Sequence, residues 1–137
     1  MDREVIEQKL ESLRRCAQRI ETKSPADAAT LMTDIDLQDI VALNLSRAVQ
    51  ICVDIGAHLI AGMDVPPPDT MGQTFDLLAQ GGGLDRDLAS RLKKAVGFHI
   101  AVHNYEQINW EIVHSIVTFH LADFARFAKV VARKLEP

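Results

Sequence analysis

Apolar side chains recur every three or four residues along nearly the whole chain, and no sustained alternation of period two interrupts them. The pattern predicts an all-α protein. The first helix, over residues 2–22, places Ile6, Leu10, Leu13, Ala17 and Ile20 on one face and Arg and Glu on the other. Ser24 followed by Pro25 reads as an N-cap with proline at the first helical position, which predicts a short turn of helix through Ala28 and Ala29. A long helix then starts near Asp36 and runs to about Gly62. Its apolar positions, Val41, Leu45, Ala48, Val49, Cys52, Ile55, Gly56, Leu59 and Ile60, cover more than half of its circumference. It must be packed on several sides.

Pro66-Pro67-Pro68 stops this central helix, because proline lacks the amide hydrogen and disfavours helix in the residue before it. Thr70 caps a short helix with Phe75, Leu77 and Leu78, which ends at Gly81-Gly82-Gly83. No strand precedes those glycines and no GxGxxG or GxxxxGK[ST] string contains them, so they mark a helix end and not a phosphate loop. Asp85 caps the next helix, and Asn109 caps a last one over 110–134 with the stripe Val113, Val117, Leu121, Phe124, Ala128 and Val131. The whole predicts an antiparallel bundle of four to five helices in one domain, residues 1–137.

Composition narrows the class. The 137 residues are 47% hydrophobic and 25% charged, as expected of a globular domain with a core of its own. The first residues, Met-Asp-Arg-Glu-Val, do not form a secretory signal, and no apolar run approaches about 18 residues, so a cytoplasmic protein without a membrane span is expected. Cys16 and Cys52 fall at apolar positions of separate helices and read as buried reduced thiols. Net charge is −4, unevenly divided: residues 1–83 hold 7 basic and 13 acidic side chains, residues 84–137 hold 8 and 6. A basic surface in the C-terminal half is one reading, and two solvated amphipathic helices are the other.

Two places carry candidate chemistry. On the central helix Asn44, Arg47, Gln50, Asp54 and His58 fall within one arc of about 120° at 100° per residue. This is either a solvent-exposed strip or the wall of a cleft. In Gly97-Phe98-His99-Ile100-Ala101-Val102-His103-Asn104-Tyr105, both histidines lie on the side of Leu88, Leu92, Ala95, Val96 and Val102. Imidazoles one turn apart at a helix end suit proton transfer, although a lone histidine on such a face is ordinarily a core residue. The same i, i+4 spacing suits zinc, but no third ligand is obvious; His120, on the apolar face of the last helix, reads as a core histidine donating to a backbone carbonyl. His58 and His114 read as peripheral, and Trp110 and the phenylalanines as core, without the aromatic interleaving of a base-stacking surface.

The motif stretch resembles the HepT-type toxins of the HEPN superfamily, small helical ribonucleases paired with an MNT-type nucleotidyltransferase antitoxin. The likeness extends through Leu37-Gln38-Asp39, Leu43-Asn44-Leu45 with Arg47, Val53-Asp54-Ile55 with His58, Phe75 to Ala79, Leu92-Lys93-Lys94, Ile112-Val113, His120-Leu121 and Asp123-Phe124. It implies a HEPN-like bundle that forms a homodimer with two motifs facing one cleft. It also implies RNA cleavage without metal or other cofactor, by attack of the ribose 2′-hydroxyl on the adjacent phosphate. Carried over by position, His103 assists proton transfer and Tyr105 is the residue to which the antitoxin transfers AMP, while Asn44, Arg47, Asp54 and Asn104 line the RNA cleft.

The family motif reads arginine, usually asparagine, three further residues, histidine, any residue, tyrosine. Here the single residue His99 stands in place of the Arg-Asn pair. The arginine's forked permanent charge is lost, and one missing helical residue rotates the two flanking segments by about 100° relative to one another. His99 and His103 are therefore the catalytic candidates of an altered motif, with reduced or lost ribonuclease activity. Two other classes stay open: a non-catalytic partner and substrate of a nucleotidyltransferase, modified on Tyr105, and a helical scaffold that dimerises without chemistry.

Overall fold

The computed structural model describes residues 2–103 and 107–136, with side chains described over 2–100 and 107–136. Within these bounds there are seven α-helices and no strand: α1 (Arg3–Lys23), α2 (Ala28–Thr33), α3 (Ile35–Ala61), α4 (Met71–Gln80), α5 (Arg86–His103), α6 (Trp110–His120) and α7 (Ala122–Lys134). The all-α reading holds, with α3 at the centre. It packs on α1, α2, α4, α5 and α7. By length and composition α3 could cross a membrane, yet eleven of its residues are buried inside the bundle, which is what its broad apolar circumference requires.

Close approach fixes α4 on α3. A Cβ built at Gly56 would lie 2.5 Å from the Thr74 methyl group and 3.3 Å from Leu78 Cδ1, so only glycine lets the helices meet at this separation. Behind α4, Phe75 meets Phe127 of α7 edge to face, with ring centroids 6.3 Å apart. Both rings are fully buried. One hydrophobic cluster thus runs from Ile6 and Leu13 of α1 through α3 to α5 and α7.

Several helix ends follow the sequence reading. The Thr70 hydroxyl accepts from the Gln73 amide at 3.2 Å, Asp85 Oδ1 from Leu88 at 2.8 Å, and Asn109 Oδ1 from Glu111 and Ile112 at 3.0 and 3.3 Å. Gly81 closes α4, and Gly82 takes the left-handed conformation with φ 78°. Other expectations are corrected. Ser24 does not open a helix; it ends α1, donating its amide to Ile20 O at 2.8 Å, because the residue before a proline is disfavoured from continuing a helix. The caps that open the next two helices are Asp27, which accepts from Thr30 at 2.8 Å, and Asp34, which accepts from Leu37 at 3.1 Å.

The last helix is two. At Leu121 the ladder tightens, with the Phe124 amide donating to Leu121 O, and α7 begins without a side-chain cap. The core stripe shifts accordingly: Val113, Val117, Phe124, Phe127 and Val131 are buried, whereas Leu121 and Ala128 are half-covered. Phe119 is 71% exposed and is not a core residue. His120 is on the surface as well, at the junction, where Nδ1 lies 3.1 Å from Arg91 Nη1 and 3.4 Å from Asp123 Oδ2.

Candidate active site and cleft

The polar strip of α3 is bordered by two helices. Cys52, with Cys16 as its neighbour, lies on the side of α3 that turns to α1, and Ser46 on the side that turns to α5. Arg47, Gln50 and Asp54 occupy the arc between, with Arg47 exposed and the other two half-buried. The Lys9 ammonium of α1 meets Asp54 Oδ2 at 3.5 Å, and Gln50 Nε2 donates to Asp54 Oδ1 at 2.9 Å. Asp54 is therefore held as an acceptor on the α1 side. Asn44 turns back on its own helix, donating Nδ2 to Ile40 O at 2.8 Å.

His99 sits at the other border. It is buried, and its Nδ1 lies 2.8 Å from Ser46 Oγ and 3.2 Å from Ser46 O. A carbonyl oxygen can only accept, so Nδ1 carries the proton and points it into the Ser46 turn. The ring is thus a positioned group that pins α5 to α3. It does not present a solvent-facing cation as an arginine would. α5 is continuously helical from Arg86 to His103, without a bulge at the altered position.

His103 ends α5, and its side chain lies outside the described residues, as do Asn104 and Tyr105. The structure therefore places Asn44 and Arg47 in the groove between α1 and α3 and Asp54 against Lys9 of α1, while His99 is held by Ser46, the immediate chain neighbour of Arg47. His120 does not join them. Its partner Arg91 precedes His99 by eight residues, about 12 Å along α5. Among the described residues no group of three His, Cys, Asp or Glu side chains is placed to hold a metal ion.

Sequence reasoning missed the contribution of α1. Lys9, Arg15 and Arg19 share with Arg47 a groove of about 840 Å³ between α1 and α3. The signal was present in Arg15 and Arg19, on the face away from the Ile6, Leu13 and Ile20 stripe, but helical periodicity alone does not say which neighbour that face meets.

Comparison with known proteins places the chain in a family. The family model described as ribonuclease HepT-like matches residues 6–131. An mRNA nuclease HepT from Shewanella oneidensis is 36% identical over 129 residues, spanning 93% of this chain and 96% of that one. Among solved structures, the tri-AMPylated Shewanella oneidensis HEPN toxin in complex with MNT antitoxin superposes with a TM-score of 0.86 at 36% identity, covering 97% of this chain and 98% of that chain. A toxin-antitoxin structure with AMP-PNP gives 0.87 at 35% identity, covering 95% and 98%. The match runs through α1 to α7 with nearly full coverage of both partners, and the chain belongs to the HepT-like ribonuclease family.

Proposed function

We propose that this protein is the toxin of a toxin–antitoxin pair, a homodimeric, cytoplasmic endoribonuclease of the HepT kind with a weakened active site. The observation that carries the reading is the 36% identity to an mRNA nuclease over nearly all of both chains, combined with the retained His103 and Tyr105. In the reaction, His103 takes the proton of a ribose 2′-hydroxyl as its oxygen bonds to the adjacent phosphorus. The 5′-oxygen then leaves with a proton, and a cyclic phosphate remains. This chemistry uses no cofactor.

The weakening follows from His99. Charge develops on the phosphoryl oxygens in the transition state, and a preorganised arginine there contributes a few kcal/mol, or about 10²–10³ in rate. His99 is buried with Nδ1 on Ser46 and has no guanidinium fork, so it does not replace the arginine's fixed charge. Cleavage of single-stranded RNA is the test, with the purified chain run beside a version carrying His99→Arg and an asparagine inserted after it. The restored version is expected to cleave at least about 100-fold faster. Equal and strong cleavage by both would overturn the weakened-site reading.

A second role concerns Tyr105. A similar toxin is tri-AMPylated in complex with its MNT antitoxin. By the same chemistry the Tyr105 oxygen attacks the α-phosphorus of ATP held by a partner nucleotidyltransferase, pyrophosphate leaves, and negative charge is added beside the cleft. Incubation with the partner enzyme and ATP is expected to add adenylyl mass to the Tyr105 peptide; an unmodified peptide under conditions that modify a related toxin would refute it.

A further inference from the structure

The net charge of a segment and its available charge differ in this fold. Residues 84–137 are the basic part of the chain, yet Lys93 is paired with Asp76 at 2.7 Å and Arg91 with Asp87 at 3.2 Å. Arg126 lies between 3.6 and 3.7 Å from Asp85, Asp87 and Asp123. In the acidic part a set of cations is left over. Glu7 and Glu11 are taken up by Arg3 and Arg14, while Arg15, Arg19 and Arg47 have no carboxylate within ion-pair distance among the described residues. Arg15 makes one long contact, 3.5 Å to Ser12 Oγ.

These three guanidinium groups open onto the groove between α1 and α3, together with Lys9, which is paired with Asp54. Asp39 is the single carboxylate among its described lining residues. From Lys9 to Arg15 to Arg19 the rise along α1 is about 9 and then 6 Å, so the cations form a row about 15 Å long and not a point cluster. Arg47 faces that row from the other wall. A row of unpaired guanidinium groups suits a chain of phosphodiesters, each able to accept a forked pair of hydrogen bonds. The groove also leads somewhere, since Arg47 adjoins Ser46, the residue that anchors His99.

We infer that the α1–α3 groove is the track that binds the phosphate backbone of single-stranded RNA on its way to the end of α5, with Arg15 and Arg19 as binding residues. The inference rests on the ribonuclease reading above. Binding of a fluorescein-labelled oligouridylate of about 20 nucleotides, followed by anisotropy over a range of salt concentrations, tests it on the full chain. Arg15→Gln with Arg19→Gln is expected to weaken binding about tenfold. It should also flatten the slope of log K against log salt by about 1.4, since two phosphate contacts are lost at about 0.7 each for single strands. Lys93→Gln with Lys94→Gln, outside the groove, is expected to leave affinity within about twofold.

Circular dichroism melts confirm that both double variants fold. Wild-type affinity and slope in the Arg15, Arg19 variant would overturn the inference while leaving the ribonuclease reading intact. If that variant keeps RNA binding but loses the nucleotidyltransferase partner, the groove belongs to an acidic protein and the inference is equally overturned. Failure of the unaltered chain to bind the oligonucleotide would remove both.

Discussion

At the scale of single residues, the position that departs from the family motif is also one of the few polar groups in the core. His99, Ser46, Thr74 and Asp123 are the buried polar side chains among the described residues. A polar group taken out of water is tolerated only when its hydrogen-bonding capacity is met, and Nδ1 of His99 meets its own through Ser46 Oγ and O. The two acceptors are not equivalent. Ser46→Ala removes Oγ but leaves the backbone carbonyl, so the ring proton keeps a partner. The substitution is expected to cost about 1 kcal/mol, seen as a melting temperature lower by a few degrees with the fold intact. An unchanged melting temperature would show that Oγ contributes nothing and that the carbonyl alone holds the ring.

At the scale of elements, what could be read from sequence was what depends on short-range chemistry. Thr70, Asp85 and Asn109 cap the helices they were expected to cap, because each presents an acceptor to an amide two or three residues on. Ser24 has the same chemistry and failed. The signal was ambiguous there: a serine before proline can open one helix or end another, and α1 reached Lys23 before the proline stopped it. The division between α6 and α7 was not legible, since His120-Leu121-Ala122 contains neither glycine nor proline. Its surroundings are tertiary, with Asp123 drawn under the surface among Arg91, His120 and Arg126 from two other turns and helices. Phe119 was misread for a related reason. Periodicity assigns a residue to a face, but whether that face is covered depends on which helix arrives.

At the scale of the molecule, only part of the C-terminal basic charge suggested by composition is engaged in ion pairs, through Arg91, Lys93 and Arg126, and the cleft residues legible in the sequence were those on α3, because that helix alone had one narrow polar strip. The same central helix places Cys52 where no solvent reaches it. Burial raises the Cys52 thiol far above the ordinary range, with the neighbouring Cys16 adding to the effect. The consequence for stability has a definite sign. Below the unfolded pKa of about 8.5 both states hold the proton and the thiol adds no pH dependence. Above it the unfolded chain releases the proton while the folded chain keeps it, so stability falls as pH rises. One unit beyond, at pH 9.5, the loss is about 1.4 kcal/mol. Cys52→Ala is less packed and starts less stable, but it lacks this slope. In urea denaturation under reducing conditions, the natural chain is expected to lose about 1 kcal/mol more than the variant between pH 7.5 and 9.5. Parallel declines in the two proteins would mean that the thiol ionises as readily inside the fold as outside it.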